Sequence, residues 1–325
     1  MKPILILICS LIFTLATQVS AAEKNLSVGI LLYPGVEIID FTGPYEIFGW
    51  AEYEVSTVSQ DGNPIVTTMN LTITPTYSFA KAPSFDILVI PGGDYEKAID
   101  KPTLDWVRIH SQSATRVVSV CNGAFILAEA GLLNGLTATT FYPALEALKE
   151  KYPKIKTVSN KRFVDNGKFI TSAGLSSGID AALHLVSQHQ GMEKAQSIAA
   201  AIEYGWSPDK GYIRGNMADK HLQSIRKNLS EIIADEPAYS YGTESEWFES
   251  YNLKSSALNT DAKSVKKILS SAMAETQEWL PNKDARLKDA WIKKSEGNTT
   301  WILAINYSQT AQKPIEIKIH LYQKP

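Results

Sequence analysis

Two side chains of this 325-residue sequence are placed to do covalent chemistry. Cys121 ends the β-branched run "RVVSV" and stands directly before the helical pattern "NGAFILAEAGLL". Ser119 lies two residues before it and Gly123 two after, the small-x-nucleophile-x-small pattern of a sharp strand-to-helix turn that leaves room only for small neighbours. A thiol there sits at a helix N terminus, where about half a positive charge favours the attacking thiolate. The backbone N–H of Asn122 points to where negative charge would develop. Asp40 closes "YPGVEIID", just before a helix whose early turn contains Pro44, and Gly92-Gly93 closes "FDILVIPGG". A glycine pair lets backbone N–H groups approach a ligand closely. Each feature alone also has a structural reading: a small buried hydrophobe for the cysteine, a helix N-terminal acid for Asp40, and a simple strand-to-helix turn for the glycines.

The elements around these residues bring them to one place. From Leu26 to about Gly191, strand-like runs ("LSVGILLY", "YEVSTVS", "FDILVIPGG", "RVVSV") alternate with helical patterns ("TGPYEIFGWA", "TLDWVRIHSQ", "NGAFILAEAGLL"). Alternation of this kind predicts an α/β fold with a mostly parallel sheet covered by helices on both faces. In such sheets ligands bind beyond the carboxyl ends of the strands. "RFVDNGKFIT" adds a hairpin turning at Asn166-Gly167, followed by the helix "SSGIDAALHLVSQ", with Ile179, Leu183 and Val186 on one face.

Composition narrows the class. The chain is 44% hydrophobic and 20% charged, with 32 Lys and Arg against 34 Asp and Glu and a net charge of -2. No basic footprint for nucleic acid or anionic lipid results. The start "MKPILILICSLIFTLATQVSAAEKN" reads as a signal peptide, an early lysine and an apolar run from Ile4 to Ala16 followed by Val19-Ser20-Ala21, with cleavage expected after Ala21 or Ala22. The expected protein is exported, periplasmic or secreted, with no stable membrane span after cleavage. Of two cysteines, Cys9 would leave with the signal. Cys121 then remains without an intramolecular partner in a disulfide-forming compartment.

The segments "YPGVEIIDFTGPYEIF", "LVIPGG", "SVCNGAFILAEAGLLNGLTATTFYPALEAL", "RFVDNGKFITSAGLSSGIDAALHLV" and "AIEYGWSP" occur in the order found in the ThiJ/PfpI superfamily. The sequence resembles that superfamily over Leu26 to Pro208, and within it the isonitrile hydratase branch and the amidase-like domains of AraC-type regulators. The resemblance implies a flavodoxin-like fold, commonly dimeric. It assigns the nucleophile to Cys121, its acidic partner to Asp40, and the oxyanion donors to the backbone of Gly93 and Asn122. Gly92, Gly123, Phe141 and Tyr142 are the expected pocket residues. No metal or organic cofactor is called for. A carboxyl held beside a thiolate has its pKa raised by the repulsion, so the pair shares one proton.

Departures from the pattern are informative. Isonitrile hydratases typically follow the nucleophile with threonine, where this chain has Asn122, and many relatives read "ATTHW" where this chain reads "ATTFY". Phe141 cannot shuttle a proton. The protease-like branch usually carries histidine after the cysteine, and a class I glutamine amidotransferase needs a His-x-Glu pair where His184 is followed by Leu185-Val186. His184 itself reads as a packing residue, and the five histidines form no metal-ligand cluster.

Residues 1–22 are therefore expected to be the signal peptide, 23–208 the ThiJ/PfpI-type α/β domain, and 209–325 a C-terminal helical extension ending in a β-hairpin. Within that extension Trp247, Phe248 and Tyr251 are candidates for a lid or partner surface, or for packing against the domain. Two functional readings stand at this point. One is an exported cysteine-dependent hydratase acting on isonitriles or a related small electrophile. The other is a non-catalytic small-molecule-binding or redox-sensing module that keeps the thiol.

Overall fold

The computed structural model describes residues 25–208, 212–254, 257, 262–276, 278–283, 289–294, 299–310 and 313–324. The expected signal segment, with Cys9, lies outside the described residues. The chain builds two hydrophobic cores, one drawn from Val28 to Trp206 and one from Met217 to Leu321.

The first unit runs β1 (Ser27–Leu31), α1 (Ile38–Trp50), β2 (Glu54–Ser59), β3 (Ile65–Val66), β4 (Thr72–Ile73), β5 (Tyr77–Ser78), β6 (Ile87–Ile90), α2 (Lys101–Ser113), β7 (Arg116–Val120), α3 (Gly123–Glu129), β8 (Thr137–Ala138), α4 (Leu145–Lys151), β9 (Lys156–Thr157), β10 (Phe163–Asp165), β11 (Phe169–Ser172), α5 (Ser177–Gln190) and α6 (Met192–Ala201). Seven strands form one sheet in the order β10-β11-β7-β6-β1-β2-β5. Every pairing in it is parallel except the β10–β11 hairpin, which turns at Asn166-Gly167 with Gly167 at φ 82°. Helices cover both faces of a parallel sheet, so its central strands read as unbroken apolar runs; all four residues of β6 are buried.

The strand order reverses between β1 and β6. The connection after β1 leads outward to β2, and the connection after β6 leads the other way to β7. A crevice opens at such a switch point beyond the carboxyl ends of the strands. The segments that follow β1, β6 and β7 therefore meet there, and they carry Asp40, Gly92 and Cys121.

The second unit comprises α7 (Gln223–Leu229), β12 (Tyr239–Gly242), β13 (Glu246–Asn252), α8 (Ala262–Glu275), β14 (Leu280–Pro281), β15 (Ala290–Lys294), β16 (Thr300–Thr310) and β17 (Lys313–Gln323). Six of these strands form an antiparallel sheet in the order β12-β13-β17-β16-β15-β14. The expected terminal hairpin is β16–β17. The expectation of a mainly helical extension is corrected: "DEPAYSYGTESEWFESYNL" supplies the hairpin β12–β13. Its period-2 pattern was masked because one inward position is a carboxylate. Trp247, Glu249 and Tyr251 all point inward, and Glu249 is buried against Arg226. Among the described residues no helix is long and apolar enough to cross a membrane.

Candidate active site

Cys121 adopts φ 55°, the left-handed region that a non-glycine residue enters only where its surroundings compel it. Its backbone is pinned on both sides. The Cys121 N–H donates to Ala173 O at 3.2 Å, and Thr140 Oγ1 donates to Cys121 O at 2.7 Å. Small neighbours are required: a Cβ on Gly123 would lie 2.0 Å from Ile90 O. This is the strand-to-helix elbow expected from "SVCNG".

Asp40 is the third residue of α1 rather than a residue before it. The helix begins at Ile38 because Glu37 caps it, its Oε1 accepting from the Ile38 N–H at 3.2 Å, while Thr68 Oγ1 donates to Oε2 at 2.9 Å. Pro44, four residues on, has no N–H to give the Asp40 carbonyl. The Asp40 carboxyl is wholly buried and accepts from two backbone N–H groups, Gly92 at 3.0 Å and Leu175 at 3.2 Å. It also shares a hydrogen bond with the Cys121 thiol. Leu175 presents its N–H from the left-handed region, φ 58°.

Burial and the nearby Glu37 carboxylate push Asp40 up to about 7, although the N–H donors oppose the shift. The Cys121 thiol is also pushed up, by burial first and then by the charge of Asp40, with the Asn122 N–H acting the other way. Only 6% of Cys121 is exposed. The expectation that the helix N terminus favours the thiolate is thus corrected. One turn of helix offers partial charge, whereas burial beside a carboxyl removes solvation from a full charge. Near neutral pH the pair holds a proton on sulfur and a second, partly occupied position on Asp40. Tyr33, buried with its hydroxyl donating to Pro91 O at 3.1 Å, is held protonated by the same surroundings.

The glycine pair serves the approach of chain segments. A Cβ on Gly92 would meet Asn122 N at 2.6 Å, Asp40 Oδ2 at 2.8 Å and Cys121 Cβ at 2.9 Å. Gly92 is the point where acid and elbow touch, and its N–H is spent on Asp40. Gly93, at φ 118°, lets the segment Gly35–Glu37 close over β6, since a Cβ there would lie 2.2 Å from Gly35 O.

Phe141 packs on Gly174, where a Cβ would lie 2.5 Å from its ring, and with Tyr142 it lines a cavity of about 240 Å³. Leu175, Thr140 and Ala173 line the same cavity, so the groups that hold the acid and the elbow form its wall. Sequence reading singled out Phe141 and Tyr142 in "ATTFY" and passed over the threonine beside them. It also missed Glu37 and the Leu175 N–H, whose only signal was the small-residue run "SAGLSSG". Asn122 Oδ1 is buried with no hydrogen-bond partner among the described residues. His184 is a satisfied packing residue, paired with Asp165 at 2.9 Å and set against Phe163. Trp247 and Tyr251 are buried in the second core, bonded to Glu249 at 2.9 and 2.8 Å, while Phe248 stacks on Tyr241 and His320 across the outer face of the sheet. Among the described residues no three His, Cys, Asp or Glu side chains are grouped to hold a metal ion.

The DJ-1/PfpI family model matches residues 26–188, half of the chain, across the elbow, the acid and the sheet that carries them. The chain belongs to the DJ-1/PfpI family. Within the family it is similar to the isonitrile hydratase of Pseudomonas putida, 34% identical over 187 residues that cover 56% of this chain and 80% of that protein. It is also similar to the HTH-type transcriptional regulator CdhR of Pseudomonas aeruginosa, 28% identical over 63% of each chain. Among solved structures, a ThiJ/PfpI family protein from Pseudomonas syringae superposes with a TM-score of 0.55 at 28% identity, covering 64% of this chain and 87% of that one. Drosophila melanogaster DJ-1beta shares the fold at 23% identity and a TM-score of 0.51. The DJ-1/PfpI match ends before the second core begins.

Proposed function

We propose that this chain is a cysteine-dependent hydratase that converts an isonitrile, or a related small electrophile with a terminal carbon, to the N-substituted formamide. The observation that carries this reading is the Asp40–Cys121 pair, hydrogen-bonded and buried together at the switch point. The similarity to an isonitrile hydratase supports it.

A thiol whose proton is held tightly does not attack unaided, and the carboxylate at hydrogen-bond range is the base that takes the proton as sulfur bonds the terminal carbon. Asp40 then delivers that proton to the same carbon, leaving the thioimidate R–N=CH–S–Cys121. The Asn122 N–H, against the sulfur, stabilises the charge there while the proton is on Asp40. Water adds to the thioimidate carbon, one of its protons going to nitrogen. The carbon–sulfur bond then breaks, the remaining hydroxyl proton returns through Asp40 to sulfur, and R–NH–CHO leaves. The sum is addition of one water, with the thiol and the carboxyl restored.

Purified protein incubated with a panel of alkyl and aryl isonitriles is expected to release formamides detectable by NMR, and Cys121→Ala is expected to reduce the rate to the uncatalysed background. Formamide production that survives Cys121→Ala would overturn the mechanism. Ligand binding by the wild type without any turnover across the panel would favour the binding-module reading, which the similarity to HTH-type regulators also supports.

A further inference from the structure

The residues beyond 208 lie outside the family match, yet they finish a cavity whose inner wall is the layer of residues packed on Cys121 and Asp40, neither of which is itself among its lining residues. The inner wall is Thr140, Ala173 and Leu175, which hold the Cys121 carbonyl, the Cys121 N–H and the Asp40 carboxyl. The second unit contributes the opposite side, Tyr212, Arg214 and Gly215. This segment is clamped to the α/β unit. Arg162 Nη1 donates to Tyr212 O at 2.5 Å, and the Arg214 guanidinium lies between the rings of Tyr142 at 4.8 Å and Trp247 at 4.5 Å. A Cβ on Gly215 would lie 2.0 Å from Ser159 O, so backbone packs directly on backbone.

The cavity is small and has one sign of charge. Its volume, about 240 Å³, is below the ~300–1,000 Å³ of sites for drug-sized ligands and suits a single ring. Aromatic and apolar faces come from Phe141, Tyr142 and Tyr212, and the charged groups lining it are Lys161, Arg162 and Arg214, with no carboxylate among the described lining residues. Two of the three cations are answered from behind: Arg162 Nε donates to Asp180 at 2.6 Å, and Arg214 bonds both oxygens of Asp219 at 2.5 and 2.7 Å. Lys161 forms no ion pair with a described residue.

We propose that the C-terminal unit sets which substrates this thiol receives, and that the cavity next to it holds the aromatic, carboxylate-bearing part of the electrophile, its ring between Phe141 and Tyr212 and its carboxylate on Lys161. The proposal rests on the hydratase reading for its chemistry, but the pocket is testable apart from turnover. The aromatic lining selects the ring, and the solvent-exposed Lys161, the lining cation without an ion-pair partner among the described residues, selects the anion by a modest charge-assisted contact.

The test compares 4-isocyanobenzoate with phenyl isocyanide as substrates for the full chain. In parallel, calorimetry compares binding of 4-formamidobenzoate with binding of formanilide. The wild type is expected to favour the carboxylate-bearing member of each pair by roughly fivefold or more. Lys161→Met is expected to erase that preference, and Tyr212→Ala is expected to weaken binding of both ring compounds. Lys161-dependent binding of 4-formamidobenzoate with no isonitrile converted would leave the pocket proposal standing and remove the hydratase reading. Conversion without a carboxylate preference, or with a preference that survives Lys161→Met, would overturn the pocket proposal and leave the hydratase reading intact.

Discussion

Asp40 is the residue on which the chemistry turns, and its raised pKa has two consequences of opposite sign. For catalysis, the reactive form of the pair holds one proton, so its population grows as Asp40 ionises. The kcat/KM for an isonitrile is expected to rise with pH through about 7. For stability, the folded protein binds more protons than the unfolded chain between the ordinary value of 3.8 and about 7. Unfolding free energy therefore falls as pH rises through that window. About three pH units at 1.36 kcal/mol each set a ceiling of about 4 kcal/mol. Asp40→Asn is expected to flatten the slope between pH 4 and 7, read by denaturant unfolding at several pH values, and to abolish turnover. A variant with the wild-type slope would show that Asp40 is not the group responsible. Stabilisation by Asn would also reveal a common cost of function, since a buried ionisable group is kept for its chemistry rather than its contribution to folding.

At the scale of elements, the site is a convergence of three strand ends, and Gly92 is where they touch. A methyl group at position 92 has no free direction: it meets an elbow amide, the acid's oxygen and the nucleophile's Cβ, all below 3.0 Å. Gly92→Ala is expected to cost about 1 to 3 kcal/mol and to lower kcat strongly by parting Asp40 from Cys121. Thermal unfolding measures the first and isonitrile turnover the second, while the rate of Cys121 alkylation against pH reads the separation itself, because the thiol loses the influence of its carboxyl neighbour. Normal activity in Gly92→Ala would contradict this close packing. The β12–β13 hairpin follows a different rule. Tyr241, Phe248 and His320 stand in register on three adjacent strands, with ring centroids 5.1 and 4.2 Å apart and near-parallel planes. Their faces are spent on one another, so the row stabilises the sheet.

On the scale of the whole molecule, the second unit is organised around a buried ionic cluster. Arg226 bonds Asp219 at 2.9 Å and reaches both oxygens of Glu249, while Arg214 takes the other side of Asp219 and touches the α/β unit through Tyr142. Both carboxylates are almost wholly buried. Removing Arg226 leaves Asp219 to Arg214 but strands the buried Glu249 without its counter-charge, so Arg226→Met is expected to destabilise the protein by about 3 to 5 kcal/mol. Arg226→Lys is expected to recover only part of this, because a single ammonium cannot reproduce the planar fork. Chemical denaturation followed by tryptophan fluorescence gives the values. A change below about 1 kcal/mol for Arg226→Met would mean that the cluster is solvated enough to do without it.

The α/β alternation, the Asn166-Gly167 turn, the elbow at Cys121 and the family were legible in the amino-acid sequence, because local geometry demands particular residue types at short spacing. Small residues flank a strained turn, β-branched runs fill a sheet covered on both sides, and glycine accepts a positive φ. Tertiary structure alone decided what depends on distant segments meeting. It brought the Leu175 N–H, 135 residues away in sequence, onto Asp40. It placed Glu37 as the cap that draws Asp40 inside α1, and it set burial against the helix terminus so that the thiol keeps its proton. It also made sheet of residues 239–252, within the extension expected to be helical, by burying Glu249 against Arg226. Charge state and pocket shape are sums over neighbours supplied by the fold, and no local pattern encodes them.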